Sequence, residues 1–314
     1  MLAFVARRLL ALAATLLASS FVIFGCLYLA PGSPESFLSG GRTLSPEGRA
    51  AIRAQYGLDD PFLTRYWHWL TGVLHGDLGQ SIIFRQDVTS LIEPRIATTA
   101  LLVGYAAILI LAIGIGLGVV AALKSGGVDV GVVLTTTLGM AVPSFVAAMV
   151  LLSVFAVNLG WFPTLGAGSG FTDRVWHLTL PAVALALAAI AVVAQITRAA
   201  MREELEREHV DTARARGLSE RTIMRRHVFR NALVPITTIS GVTIAGLIAA
   251  SVVVEQTFAL NGLGSFLVTA VNQKDFAIVQ AVALILVVVF MVANTVVDLL
   301  YGLLDPRMAP GKAA

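Results

Sequence analysis

Cysteine is nearly absent: Cys26 is the single one among the 314 residues, which rules out an intrachain disulfide and any metal site built on several thiolates. Charge is scarce as well, at 13% of residues with a net of +3, and the basic residues gather in one stretch, which fits membrane orientation better than nucleic-acid binding. No Gly-x4-Gly-Lys-Ser/Thr phosphate loop occurs, so the chain is not expected to hydrolyse ATP itself. His-Glu-x2-His and Gly-x-Ser-x-Gly are missing too, which argues against an intramembrane enzyme. The 5 histidines (His68, His75, His177, His209, His227) lack ligand spacing and read as solvated or interfacial groups. The middles of the apolar runs hold no carboxylate or base of the kind ion-coupled carriers use, so movement has to be driven by something attached.

What is present is oil. Hydrophobic residues make up 57% of the chain and the mean hydropathy is +0.84, outside the range of soluble domains. The fold class expected is an all-α polytopic membrane protein with six spans: Leu9 to Ala30, Thr98 to Leu123, Val132 to Val157 with a kink at Pro143, Thr179 to Ala199 opening at Pro181, Ala232 to Val254, and Ala277 to Leu300. The first run exceeds the apolar core of a secretory signal and reads as a retained span. Asp298 falls in the last turn of the sixth span, where it can snorkel.

The domain reading follows: 1–30 is an amino-terminal segment with span one, 31–96 a polar extracytoplasmic insert, 97–301 the core of spans two to six, and 302–314 a tail. In the insert, Ser45 and Pro46 start a helix stopping at Gly57, Asp60 and Pro61 start a second, FLTRYWHWLTGVL, and Gly76 and Gly79 form a turn. Outside the long insert 31–96, which is set aside because long loops obey the rule poorly, lysine and arginine fix orientation: Arg7, Arg8, Lys124, the arginines of 198–230, Arg307 and Lys312 are assigned inside, and only Arg174 and Lys274 outside the membrane. Both termini and the 200–231 loop are thus expected in the cytoplasm.

That loop organises the rest. Val210, Ala213 and Gly217 make a small-residue helical face that Gly217 ends, and Ser219 caps a second short helix with Glu220 at its start and Arg225, Arg226 and Arg230 towards its end. Two amphipathic helices meeting at a glycine suit a groove on a soluble partner; a positive loop lying on lipid headgroups is the competing reading. Asp211, Thr212, Ala213 and Gly217, followed by His227, Asn231 and Pro235, resemble the EAA loop of bacterial ABC importer membrane subunits. DTARARGLSERTIMRRHVFRNALVP is similar to the B-type permease of the dipeptide, oligopeptide and nickel branch. The resemblance continues through RRLL, Pro31, Gly32 and Pro34, Asp59 to Pro61, Gly76 to Ser81, VPSF, TLPA, VVVEQTFAL with Gly262 to Gly264, and VVDLLYGLLDPR. Asp211 and Thr212 stand where the motif has Glu and Ala, Ser33 where Asp is common, and Arg230 and Asn261 where prolines are usual.

The resemblance implies a type I importer permease fold, with Asp211, Thr212, Ala213, Arg216, Gly217, Leu218, His227 and Asn231 coupling to an ATPase. It also implies a homologous second permease subunit, two ATPase subunits or one fused ATPase, an extracytoplasmic solute-binding protein and a peptide substrate; nickel, glutathione or another small solute stay open. ATP and Mg would sit on the partner ATPases, with no cofactor on this chain. The turn Gly76, Asp77, Leu78, Gly79, Gln80 and Ser81 is read as facing the binding protein or merely capping the outer cavity. Gln195, Thr237, Thr238, Ser240, Thr243, Ser251 and Asn294 line the pathway or bond neighbouring helices.

Overall fold

The computed structural model describes residues 2–29, 45–47, 50, 59–81 and 83–304. The expected insert helix up to Gly57, the Pro31 to Pro34 motif, the Asp298 side chain and the tail from residue 305 lie outside the described residues. Among the described residues the helices are α1 Leu2–Tyr28, α2 Phe62–Leu74, α3 Val88–Leu123, α4 Gly127–Ala141, α5 Ser144–Asn158, α6 Gly170–Leu205, α7 Glu208–Ala215, α8 Glu220–Thr257, α9 Leu263–Gln273 and α10 Phe276–Leu304.

α6 is the axis of the bundle, packing against α3, α4, α5 and α8. Its sequence explains why: Ala182, Ala184, Ala186, Ala189, Ala191 and Ala194 are buried, and such small side chains let neighbouring backbones approach closely. The tightest crossing is with α3. A Cβ at Gly118 would sit 2.4 Å from Thr197 Cβ, and one at Gly114 3.1 Å from the Ile190 carbonyl oxygen, so both positions require glycine or a shift. A π-helical turn at Ile110–Gly114 interrupts α3 just before this contact. α8 packs on α6, α9 and α10, while α1 lies against α10.

Several expected boundaries change. Pro143 does more than kink the third span: α4 and α5 meet at 100°, because Val142, restricted by the following proline, leaves the helix at ψ 115°. Five helices are long and apolar enough to span a membrane, and the bent α4–α5 pair makes a sixth span when taken as one. The fourth span starts at Gly170 rather than Thr179, with Pro181 inside α6, so the preceding loop is shorter than expected. Phe162 and Trp176 stack at 4.5 Å across it.

The expected second short helix after Gly217 is not separate. Glu220 to Thr257 forms one continuous helix, so the cap residue Ser219 opens span five itself. A π-helical turn at Met224–Phe229 lies within it, ending before Asn231, whose carbonyl loses its partner to the missing Pro235 N–H. The Ser219 hydroxyl pairs with Thr222 Oγ1 at 2.9 Å instead of capping a backbone amide. α2 forms as expected, and its Phe62, Tyr66 and Trp69 pack on Phe21 and Phe24 of α1, with Ser20 Oγ and Tyr66 OH 2.8 Å apart.

Candidate functional site

α7 is a short helix pressed on the bundle by two residues. Val210 and Ala213 are buried against Met201, Ile223, Val228, Ala232 and Ile236, drawn from the end of α6 and the beginning of α8. Its end is a Schellman closure: the Leu218 amide donates to the Ala213 carbonyl at 3.2 Å and the Gly217 amide to that of Arg214 at 2.9 Å. Gly217 adopts φ +75°, where a side chain is strained although nothing in this chain lies within 4 Å of where its Cβ would be. The outer face presents Asp211, Thr212, Arg214, Arg216 and Leu218, all exposed. Arg214 is held across this face by Glu220 at 3.0 Å and Asp211 at 3.3 Å.

Behind α7, Glu204 joins three elements. Its buried carboxylate accepts from Asn231 Nδ2 at 3.2 Å and forms an ion pair with Arg207 Nε at 3.0 Å, with His209 Nε2 at 3.7 Å. His209 and His227 stand with ring centroids 6.3 Å apart. His227 and Asn231 therefore lie on the α8 side of α7, apart from the exposed face that carries Asp211 and Leu218. Glu204 had no role in the sequence reading; its distance of 27 residues from Asn231 hides the pair.

A second ionic joint closes the same end of the bundle. Asp129 in the first turn of α4 pairs with Arg198 through both guanidinium Nε and Nη2, and with Arg202 Nη2 at 2.8 Å. Arg202 also donates to the Ala121 carbonyl at 3.2 Å, so α3, α4 and α6 meet there. One turn along α6, Gln195 donates to Thr136 and Thr137, each at 3.3 Å. Gln195 thus bonds a neighbouring helix.

At the opposite end of the bundle the glycine turn is built as read from sequence, with φ +86° at Gly76 and +83° at Gly79, and Asp77 Oδ1 accepting from the Gly79 amide at 2.8 Å. Its residues divide. Gly76, Asp77 and Gln80 are exposed, Leu78 packs on the apolar cluster around Ile92 and Phe266, and Ser81 is buried, donating to Asp275 Oδ2 at 2.6 Å. Ser81 therefore anchors the turn and does not project from it. Beside it, Glu255 is fully buried where α8 ends, one residue past the expected boundary at Val254. It accepts from Thr99 Oγ1 at 2.7 Å and from the Ser265 amide at 2.9 Å.

Most of the other pathway candidates have local partners, but the Ser240 hydroxyl is buried without one. Ser251 is fully buried and donates to the Ile248 carbonyl at 2.9 Å, so it faces the interior of this chain, one turn from Glu255, instead of an open passage. Thr238 is exposed and Asn294 half-buried, and they bond the carbonyls of Val234 and Phe290, at 2.8 and 2.9 Å. Among the described residues no three His, Cys, Asp or Glu side chains come together where they would hold a metal ion.

Residues 114–310 match the family described as binding-protein-dependent transport system inner membrane component, and residues 1–102 match the N-terminal family of such membrane components. The chain is 37% identical to the oligopeptide transport system permease protein AppB of Bacillus subtilis, over 98% of this chain and 99% of that one. It is 38% identical to a putative peptide transport system permease protein of Brucella suis and 36% to the glutathione transport system permease protein GsiC of Salmonella typhimurium, with the same coverage in both cases. Among solved structures it resembles the inward-facing MetNI methionine ABC transporter, with a TM-score of 0.55 and 16% identity over 69% of this chain and 97% of that one. An amino acid ABC transporter matches at a TM-score of 0.51, with 20% identity over 68% of this chain and 94% of that one. These two likenesses concern the fold.

Proposed function

Because the chain belongs to the family of binding-protein-dependent transport system inner membrane components, a permease subunit of an ABC importer and not an enzyme, we propose that it forms half of a translocation pathway for short peptides. The observation that carries the mechanism is α7: a helix fixed to the bundle by Val210 and Ala213, closed by Gly217, and presenting Asp211, Thr212, Arg216 and Leu218 to a partner. An ATPase subunit receives that face in a groove, and closure of the ATPases on ATP and Mg displaces α7. Its buried contacts pass the displacement to the ends of α6 and α8. His227 and Asn231 support the helix from behind.

The remaining assembly follows from the same reading. A homologous second permease subunit completes the pathway, two ATPase subunits or one fused ATPase supply the work, and an extracytoplasmic binding protein delivers the solute. The protein sits in the bacterial inner membrane with the 200–231 loop and both termini in the cytoplasm, as the lysine and arginine distribution requires. The turn from Gly76 to Ser81 faces the binding protein through its exposed Gly76, Asp77 and Gln80, braced by Leu78 and Ser81. In this reading Gln195, Thr238 and Asn294 border the pathway, as polar side chains on otherwise apolar helices, none of them fully buried.

Peptide cargo is preferred because the oligopeptide and peptide permeases align over nearly their whole length. Glutathione, itself a small peptide, is the second reading, since a glutathione permease aligns as fully. Uptake of labelled dipeptides, longer peptides, glutathione and nickel by the reconstituted complex tests both. Saturable, ATP-dependent entry of dipeptides or oligopeptides supports the first; entry of glutathione alone supports the second, and entry of nickel alone overturns both. Deleting residues 76–81 is expected to reduce stimulation of ATPase activity by the binding protein; unchanged stimulation would remove the turn from that role.

A further inference from the structure

We propose that Glu255 is a positioning residue that fastens α9 to α8, so that movement begun at α7 reaches the opposite face of the membrane as a rigid-body displacement. This rests on the importer reading given above. Glu255 has no exposed surface, and a buried carboxylate is costly unless fully hydrogen-bonded. The structure supplies the bonds from two other elements. Thr99 of α3 donates to Oε1 at 2.7 Å, and the Ser265 amide in the first turn of α9 donates to Oε2 at 2.9 Å. The same Thr99 hydroxyl accepts the Leu263 amide at 2.8 Å, so one side chain ties α3 to both the carboxylate and the start of α9.

The chain makes room for this carboxylate at the expense of side chains. A Cβ at Gly262 would lie 2.4 Å from Glu255 Oε2, and one at Gly264 would lie 2.6 Å from Val252 Cα. Apolar packing through Phe266 and Ala270 also holds α9, but apolar contact is non-directional and permits sliding. The carboxylate fixes register, because its acceptors meet amides that exist only at the start of a helix. The far end of α9 is held likewise: Asp275, buried, accepts from Ser81 Oγ at 2.6 Å and from the Ile278 amide at 3.4 Å.

α8 runs as one span from Glu220, beside α7, through a π turn at Met224–Phe229, to Thr257, beside this joint. A helix fastened at that end has to travel with it. α9 is therefore an extension of α8 and not an independent flap, and the external face responds to the docking loop through Glu255 and Thr99.

The test uses the full complex in nanodiscs with Cys26→Ser, and spin labels on Val253→Cys and Val271→Cys, both exposed positions on α8 and α9. Their separation is expected to stay the same with and without ATP. In Thr99→Val it broadens, and uptake of a labelled tripeptide per ATP hydrolysed falls about tenfold, the scale of one lost hydrogen bond to a charge, while Thr99→Ser restores both. Glu255→Gln should behave as Thr99→Val; if it fails to insert, the Thr99 pair alone decides. A wild-type Val253–Val271 separation that changes on ATP binding, or an unaltered uptake ratio in Thr99→Val, overturns the proposal. Wild-type uptake that does not depend on ATP, with the Val253–Val271 separation unchanged, would instead overturn the importer reading and leave the joint standing.

Discussion

Asn231 donates its side-chain amide to Glu204 across 3.2 Å, joining the end of α6 to the early part of α8 directly behind α7. The carboxylate also holds Arg207 at 3.0 Å, the residue that precedes α7. Glu204→Ala removes the acceptor of Asn231 and one of the two carboxylates on Arg207, which keeps Glu203, and peptide uptake is expected to fall by about tenfold, as for loss of roughly 1–2 kcal/mol of charge-assisted bonding. Glu204→Gln, which still accepts from Asn231, should fall less. Uptake and ATPase rates measured side by side check this; equal effects of the two substitutions would show that only volume matters at Glu204.

At Gly217 two causes of failure can be separated. Asp and Asn at position 217 tolerate positive φ better than most side chains do, and the Cβ of either has no atom of this chain within 4 Å. If α7 seats in a partner's groove, both insert normally and both abolish uptake. Gly217→Val adds backbone strain of about 1–3 kcal/mol and is expected to lower thermal stability as well. Normal uptake by Gly217→Asp would refute the docking role.

The crossing of α3 and α6 predicts a contrast between neighbouring glycines. Gly118→Ala places a methyl 2.4 Å from Thr197 Cβ and 2.6 Å from the Ala194 carbonyl oxygen. It is expected to destabilise by about 1–3 kcal/mol in a detergent unfolding titration. Gly116→Ala meets nothing within 4 Å and should be neutral or slightly stabilising, by up to about 1 kcal/mol through helix propensity.

Asp129 neutralises two arginines at once. Asp129→Asn is expected to lower stability by leaving Arg198 and Arg202 without the carboxylate that both pair with. In an Arg198→Gln background the same change should cost less, and the difference in a double-mutant cycle measures the pair. Additive losses would show that the contact contributes nothing beyond its individual members.

The apolar runs made the spans legible, because about twenty consecutive apolar residues have few alternatives to crossing a bilayer. Gly217 was legible for a similar reason: a helix of small residues ending in glycine has a common closure, and the Leu218 to Ala213 bond is that closure. Pro143 marked a break without giving its size, since a proline restricts the preceding residue while the packing of α4 and α5 on α6 sets the resulting 100°. Ser219 misled in the opposite direction. It starts a helix as its type predicts, but that helix runs on through a π turn, Pro235, Gly241 and Gly246 to Thr257, because packing on α6, α9 and α10 outweighs these local breakers.

Local composition by itself determined that the chain is a helical membrane protein, where most of its helices lie and which loop carries the charge, because each of these depends on neighbours a few residues away. Tertiary structure alone decided the joints: Glu204 with Asn231, Asp129 with Arg198, Thr99 with Glu255 and Ser81 with Asp275 are separated by 27, 69, 156 and 194 residues. Polar side chains are cheap to leave in water and costly to bury unpaired, so their meaning appears only when the fold brings a partner to each.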